Sequence, residues 1–173
     1  MRPILSGFAQ VAYATNDIAY AMDLYDKKYG ISSFYQLDAQ MPARVRGDEG
    51  VVSLKVGLAN VAGVQIELME PLSDLDGFFG SDLAGKSGFT LALHHFLQLV
   101  DGDLADWDAH VAELEGGGRD IVCQLHAGDS ARVMFTDDRS MLGVYLEHIW
   151  MAPEAKRAIE SQVPFHAGTM LSV

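Results

Sequence analysis

Apolar and polar positions in the first half of the chain predict one strand, one helix and then three strands. Residues 8–15 form an apolar run typical of a buried strand. Asn16 and Asp17 can then cap a helix, and Gly30 ends it. One face of this helix is apolar at helical spacing: Ile18, Ala21, Met22 and Tyr25. Three extended stretches separated by turn residues follow: 34–39, 51–58 and 63–70.

The second half of the chain predicts the same order again, after a stretch rich in Gly, Asp and Ser. Its elements are a strand at 93–100, a helix at 103–114 that three glycines stop, and strands at 120–125, 131–135 and 143–150. The chain then divides into a first βαβββ module at 1–72, a linker at 73–92, a second βαβββ module at 93–151, and a C-terminal helix and tail at 152–173.

A short motif occurs in both halves and indicates a duplication. Gly63-Val-Gln-Ile-Glu67 and Gly143-Val-Tyr-Leu-Glu147 each place a glycine four residues before a glutamate, on a strand of alternating polarity. Both segments are the fourth predicted strand of their half. We therefore expect an α+β fold made of two tandem βαβββ modules.

Composition and charge narrow the range of partners. With 173 residues, of which 49% are hydrophobic, the chain can bury a sizeable interior. Its 24 acidic and 12 basic residues give a net charge of −12, which argues against a nucleic-acid partner. No apolar run reaches the roughly 20 residues that span a bilayer, so we expect no membrane partner. The expected partner is a small-molecule substrate.

Two observations favour a cytoplasmic location. The single cysteine, Cys123, cannot form an intramolecular disulfide and has no metal-ligand partner nearby in sequence, which suits a reducing compartment. Residues 1–14 lack the long apolar core and the small-residue cleavage site of a signal peptide. We expect Cys123 to be a small core residue.

Four polar side chains lie on strands whose same-face neighbours are mostly apolar: Gln10, Glu67, His95 and Glu147. A carboxylate on such a face is costly to bury unless a cation or a hydrogen bond satisfies it. Three of the four also have an ordinary interpretation. Gln10 could be a polar residue at a strand end, His95 a hydrogen-bonded core histidine, and Glu67 a residue of an exposed sheet face. The neighbouring His94 is expected to point outward.

Three segments resemble the glyoxalase/bleomycin-resistance/dioxygenase superfamily, also called the vicinal oxygen chelate superfamily. Residues 10–17, followed by 21–30, look like the opening of a module of this fold. His94-His-Phe-Leu-Gln-Leu-Val-Asp101 is similar to the second opening, particularly in methylmalonyl-CoA epimerase-like members. Residues 135–147 are similar to the closing strand pair, in which an Asp turn and a glycine precede a glutamate. The resemblance implies a curved mixed sheet of two modules around a central cavity.

The resemblance also implies a metal centre. In that superfamily the first and last strands of each module deliver one ligand each, which assigns the ligands to Gln10, Glu67, His95 and Glu147. This is the set of the zinc-dependent glyoxalase I enzymes, and its donors suit Zn, Ni, Co or Mn. Glu147 is then the principal catalytic base, and Glu67 its catalytic partner on the opposite face. The expected protein is a homodimeric, metal-dependent lyase or isomerase that moves a proton next to a carbonyl.

Two other functions of the superfamily stay open. A metal-free binding or drug-sequestering protein, like the bleomycin-resistance members, is favoured by the acidic charge, which suits a cationic ligand. An extradiol dioxygenase needs two histidines and one carboxylate for Fe(II). Gln10 stands where the first histidine would be expected, which counts against this function.

Two further groups of side chains have open roles. Arg44, Arg46 and Arg132 either receive an anionic group of the substrate or lie solvated at the surface. Phe78 and Phe79, within the linker, either form a lid or anchor the loop.

Overall fold

The computed structural model describes residues 7–167 and has a mixed α+β fold. The strands are β1 (Phe8–Thr15), β2 (Tyr35–Val45), β3 (Asp48–Val61), β4 (Val64–Ser73), β5 (Leu91–Leu99), β6 (Ile121–Ala127), β7 (Ala131–Asp137), β8 (Tyr145–Met151) and β9 (Phe165–His166). The helices are α1 (Ile18–Tyr29), α2 (Leu104–Gly116), α3 (Arg139–Leu142) and α4 (Pro153–Glu160). The segment expected to lack signal-peptide features includes positions 1–6, which lie outside the described residues, as does the tail beyond 167.

Helix α1 begins and ends at the residues that the sequence predicts. The Asp17 side chain accepts a hydrogen bond from the Tyr20 amide at 2.9 Å, and Gly30 ends the helix with a φ of 70°. The buried face of α1 packs on the outer side of the sheet, against Ala59 of β3 and Leu68 of β4. The other side of these strands therefore faces the interior of the sheet. Within residues 7–167, no helix is both long enough and apolar enough to cross a membrane.

The strands form one curved sheet that closes on itself. Neighbouring strands follow the order β2-β6-β7-β8-β5-β1-β4-β3, and β3 pairs in turn with β2. The closing contact between β2 and β6 is short and runs from Ala43 opposite Leu125 to Val45 opposite Cys123. Strands β1 to β8 therefore enclose a barrel, and β9 adds to the end of β3. The expected curved mixed sheet of two βαβββ modules around a cavity is confirmed.

The two halves use the same strand register. β1 pairs in parallel with β4, and β5 pairs in parallel with β8. Glu67 lies opposite Ala12, and Glu147 lies opposite Leu97, each two positions beyond the predicted ligand of the first strand. β1 and β5 themselves pair antiparallel, as equivalent elements must across a two-fold axis. The internal repeat of the sequence is thus matched by pseudo-two-fold symmetry of the barrel.

Some element bounds differ from the pattern-based prediction. β4 extends to Ser73 and β5 begins at Leu91, so both strands reach into the predicted linker. Gly143, predicted to start a strand, instead ends the short helix α3 with a φ of 78°. Short elements such as α3 and β9 are too brief to give a periodic pattern, which explains why the sequence did not predict them.

Phe78 and Phe79 close one end of the barrel. Their side chains are 0% and 1% exposed and contact the Phe135 ring edge-on at centroid distances of 5.1 and 5.8 Å. Both rings belong to the main core inside the barrel. They anchor the loop rather than forming a mobile lid. We call this pair the Phe plug.

Candidate metal centre

Three of the four predicted ligands form one cluster inside the barrel. One ligand atom from each of Glu67, His95 and Glu147 lies within 4.8 Å of the other two. Gln10 joins the cluster, because its Nε2 donates a hydrogen bond to Glu67 Oε2. β1, β4, β5 and β8 supply one residue each, and these are the four adjacent strands at the centre of the sheet. The structure thus brings the four side chains together.

β-Bulges lie directly before the predicted ligands on β1 and β5. The antiparallel pairing of these strands skips one residue on each, Ala9 on β1 and His94 on β5. A bulge interrupts the alternation of side chains and re-aims them, and bulges are common next to active sites. The expectation that His94 points outward is therefore wrong. Its side chain is buried, with 3% of its surface exposed.

His94 sets the orientation and the proton position of the His95 ring. His94 Nε2 lies 3.0 Å from the Phe78 carbonyl oxygen, which can only accept, so Nε2 donates. Burial, reinforced by the neighbouring His95, lowers the pKa of His94 to about 3, so its Nδ1 has no proton and accepts. His95 Nδ1, 2.9 Å from His94 Nδ1, must then donate. The atom of His95 that remains for the cluster is Nε2.

His95 Nε2 lies between the two carboxylates. It is 2.8 Å from Glu147 Oε2 and 3.3 Å from Glu67 Oε2, yet it is buried and neither contact has hydrogen-bond geometry. Burial by itself favours the neutral ring, but the charge of Glu147 and the contacts with Glu67 outweigh it and raise the pKa of His95 to about 9. The cluster therefore needs a positive charge at this point. A proton can supply it in the metal-free protein, and a divalent ion can replace that proton.

Glu67 has the electrostatics of a proton acceptor. Burial raises its pKa, and the negative charge of Glu147 adds to this effect. The contacts with His95 and Gln10 lower the pKa only in part. A carboxylate with a raised pKa accepts a proton at neutral pH more readily than a solvated one does.

The donor atoms of the cluster are of the kinds that bind a divalent ion. His95 Nε2 is a buried nitrogen with no hydrogen-bond partner, and two carboxylates face it. Rotating the Gln10 amide by half a turn would present its oxygen in place of its nitrogen. One imidazole nitrogen and three oxygens would then surround the ion. Such a mixed set suits Zn, Ni, Co or Mn rather than a thiolate-rich structural site.

The cluster faces a cavity of about 460 Å³ inside the barrel. The cavity walls are mainly apolar and include Leu37, Ala39, Met41, Val56, Leu97 and Val133. Phe79 of the Phe plug and Phe135 lie at its closed end, and α4 borders the other end through Ile159. The volume falls within the range of small-molecule sites.

The remaining candidate residues lie apart from this cavity. Arg46 pairs with Asp76 at 2.6 Å, Arg132 donates to the Gly128 carbonyl, and Arg44 is exposed. Cys123 is buried as expected, and burial raises the pKa of its thiol to about 12. Such a thiol stays protonated at neutral pH and is a poor nucleophile.

Solved structures resemble this chain, whereas no family model and no curated protein matches its sequence. A methylmalonyl-CoA epimerase in complex with methylmalonyl-CoA and NH4+ aligns with a TM-score of 0.57 at 20% identity, over 84% of this chain and 94% of that one. The Mycobacterium tuberculosis methylmalonyl-CoA epimerase aligns with a TM-score of 0.58 at 19% identity, over 91% and 95%. The chain has the vicinal oxygen chelate fold. A Streptomyces coelicolor epimerase variant in complex with 2-nitronate-propionyl-CoA, with a TM-score of 0.58 and 20% identity over 84% and 94%, has it too.

Within this vicinal oxygen chelate fold, two contributions to the site were missed by the sequence reasoning. His94 holds the His95 ring, and the adjacent histidine pair was the signal that could have drawn attention to it. Helix α4 borders the cavity through Lys156, Ile159 and Glu160. The helix itself was predicted, but its position over the barrel depends on contacts far away in sequence.

Proposed function

We propose that this chain is a metal-dependent isomerase or lyase that moves a proton at the carbon next to a carbonyl group. The proposed metal ligands are Gln10, Glu67, His95 and Glu147. The observation that supports this is the placement of two carboxylates around His95 Nε2, at the wall of a largely apolar cavity. When bound, a divalent ion polarises a carbonyl oxygen and stabilises the negative charge that develops on it.

Glu147 is the proposed principal base and Glu67 its partner. The C–H bond next to the carbonyl breaks, its electron pair moves toward the carbonyl group, and the Glu147 carboxylate takes the proton. Glu67 comes from the equivalent strand of the other half. We assign it to the opposite face of the substrate, because the pseudo-two-fold axis relates the two carboxylates. A proton returned to the same carbon from that face inverts its configuration, as in an epimerase. A proton returned to the adjacent carbon gives a glyoxalase I-like rearrangement.

The fold comparison favours the epimerase-like alternative. The similar structures named above are methylmalonyl-CoA epimerases, at 19–20% identity. An extradiol dioxygenase is disfavoured by the donors, because His95 is the one histidine of the cluster and His94 is engaged with Phe78 and His95.

Replacing Glu147 by Gln tests the proposed base. Gln keeps an oxygen donor but cannot accept a proton at neutral pH. We expect a loss of roughly 10²- to 10⁴-fold in metal-dependent exchange of the α-proton with deuterated solvent, followed by NMR, while metal content changes much less. The substrates would be 2-oxoaldehyde–thiol adducts, acyl thioesters and α-hydroxy ketones. His95→Ala should instead lower metal occupancy directly, measured by elemental analysis.

Glu49→Gln is the matched control, because Glu49 is a strand glutamate that is exposed and lies outside the cavity lining. It should leave both exchange and metal content unchanged. Equal exchange by the wild type and Glu147→Gln would reject the base assignment. No exchange by the metal-loaded wild type on any substrate would reject the enzyme proposal for these compounds.

A metal-free binding protein of the same fold is the second candidate. The size and apolar walls of the cavity favour it, because such a cavity binds small molecules without any reaction. The two candidates differ in metal affinity. A chain that takes up no Zn, Ni, Co or Mn in equilibrium dialysis but still binds apolar compounds would support the binding protein.

A further inference from the structure

We infer that the substrate is a compact, uncharged and mainly apolar carbonyl compound that fits inside the barrel, rather than a thioester of a phosphate-bearing carrier such as coenzyme A. The inference rests on the proposed proton transfer for the reacting end of the molecule. The rest of the substrate is inferred from the cavity walls, the charges at the cavity mouth and the cavity volume.

The walls around the cluster offer apolar surface and few polar groups. On β2, the alternating residues Leu37, Ala39 and Met41 face the cavity, and Leu54, Val56 and Leu58 face it from β3. Beyond the proposed metal ligands, the polar side chains that the described strands present to the cavity are the amides of Asn60 and Gln65, which bond each other at 3.4 Å. None of these strands presents a further charged group or a hydroxyl to it. A substrate body that matches these walls is apolar, because each buried polar group without a partner costs about 1–3 kcal/mol.

The mouth of the cavity does not suit phosphates. β8 runs from Tyr145 at the closed end to Met151 at the mouth, where α4 borders the cavity. Among the described residues lining the cavity, the charged side chains apart from the cluster are Lys156 and Glu160. They have opposite signs, and Lys156 Nζ also lies 3.5 Å from Asp101 Oδ1. Arg157 is also exposed on α4, and Glu154 balances it, so the helix has no net charge. A carrier with several phosphates would therefore find no net positive charge on this helix, in a chain with a net charge of −12.

Two of the arginines, Arg46 and Arg139, lie at the other end of the barrel. Arg132, opposite Trp150 near the mouth, donates to the Gly128 carbonyl. Arg46 follows β2 and pairs with Asp76, next to the Phe plug. Arg139 pairs with Asp137 at 2.5 Å and stacks on the Tyr145 ring at 4.6 Å. The buried Phe plug separates this end from the cavity. A carrier bound at these arginines could not reach Glu147 through the barrel.

The volume limits the part of a substrate that the barrel can enclose. The cavity of about 460 Å³ has room for roughly fifteen water-sized groups, at about 30 Å³ for each water in the liquid. An aryl or branched alkyl ketone fits within this limit. A coenzyme A or glutathione conjugate would extend far outside it.

The test compares two probes on metal-loaded protein by isothermal titration calorimetry: enantiopure 2-hydroxypropiophenone and methylmalonyl-CoA. We expect the ketone to bind at least tenfold more tightly. Ala39→Trp fills the cavity and should weaken ketone binding at least tenfold. Gln40→Trp, the matched control, places the same side chain on the exposed face of β2 and should leave it unchanged. Ala131→Phe provides a second cavity-filling variant if Ala39→Trp does not fold, as judged by circular dichroism.

Racemisation of the ketone, followed by chiral chromatography, separates the two proposals. Ketone binding that both cavity-filling variants weaken supports the inferred substrate class, and racemisation by the same sample supports the proposed function as well. Ketone binding without racemisation keeps the ligand class and counts against the proposed function. Tighter binding of methylmalonyl-CoA, or binding of neither probe, overturns the inferred class, and the exchange assay with thioesters still tests the proton transfer.

Discussion

The two adjacent histidines of β5 have different roles although their side chains are chemically identical. His95 presents Nε2 to the carboxylates, while His94 accepts from His95 Nδ1 and donates to the Phe78 carbonyl. The bulge at His94 is what allows two consecutive side chains to meet on the inner side of the strand. Partners that fix the orientation of a metal-binding histidine commonly contribute to metal affinity.

His94→Phe should weaken metal binding roughly 10- to 100-fold, because Phe keeps the aromatic packing against Phe79 but cannot accept from His95 Nδ1. His94→Gln, whose amide oxygen can accept, should restore part of the affinity. Calorimetric titration with Zn measures the affinity, and ¹⁵N NMR of the imidazoles reports the proton position on His95. The exposed His126, changed to Phe, is the control. Unchanged affinity and unchanged ¹⁵N shifts in His94→Phe would show that His94 has no positioning role.

Two buried neutral histidines should make the protein sensitive to acid. Burial lowers the pKa of both His94 and His148 to about 3, below the ordinary value of 6.5. The unfolded chain therefore binds more protons between these values, so the free energy of unfolding falls as the pH drops from 6.5 toward 3. Each histidine contributes up to about 1.4 kcal/mol per pH unit. His148→Gln should reduce this slope in urea denaturation at pH 7, 6 and 5; an unchanged slope would contradict the assignment.

At the scale of elements, the repeated Gly-x-x-x-Glu segment is a turn followed by a strand. Gly63 and Gly143 have φ angles of 88° and 78°, so both use the left-handed backbone region that favours glycine. Each turn starts the strand that bears a carboxylate of the cluster. The spacing of the motif therefore combines a conformational requirement at the glycine with the placement of a clustered carboxylate.

Gly143→Ala should lower the free energy of unfolding by about 1–2 kcal/mol, because a Cβ is disfavoured at positive φ even where space is open around it. Gly116→Ala is a control for which we expect the opposite effect. Gly116 is the last residue of α2, its φ is not positive, and the space around it is open. Alanine should therefore raise the free energy of unfolding by about 0.4–1 kcal/mol. Guanidinium denaturation measures both. Equal effects of the two changes would contradict the conformational argument.

At the scale of the whole molecule, the proposed metal would bridge the two halves. Gln10 and Glu67 come from the first half, and His95 and Glu147 from the second, with β1 and β5 paired between them. The apolar core inside the barrel also draws on both halves. Metal binding should therefore stabilise the barrel as a unit. The expected homodimer stays a prediction, which light scattering tests against the chain mass of 18.8 kDa.

Metal at a free concentration of one hundred times its Kd should raise the free energy of unfolding by about 2.7 kcal/mol. Removal with a chelator should reverse the gain, and His95→Ala should abolish it at the same metal concentration. Urea denaturation with and without Zn measures the difference. A similar gain in His95→Ala would place the stabilising metal at another site.

The sequence alone determined the order of the main elements and the duplication. These depend on local properties, namely apolar periodicity, capping residues and the repeated glycine–glutamate spacing. Each of these properties involves residues that are close together in sequence, so it can be recognised without knowing which strands pair. The resemblance to a known superfamily, rather than the local pattern, implied that Gln10, Glu67, His95 and Glu147 form one cluster.

Tertiary structure decided the bulge at His94, the closure of the barrel between β2 and β6, and the position of α4 at the cavity mouth. Each depends on the register or packing of segments that lie far apart in the chain, and a one-residue change in register turns side chains to the other face. The size and apolar character of the cavity follow from the same contacts, because the walls come from strands of both halves. The inferred choice of substrate therefore depends on the assembled barrel.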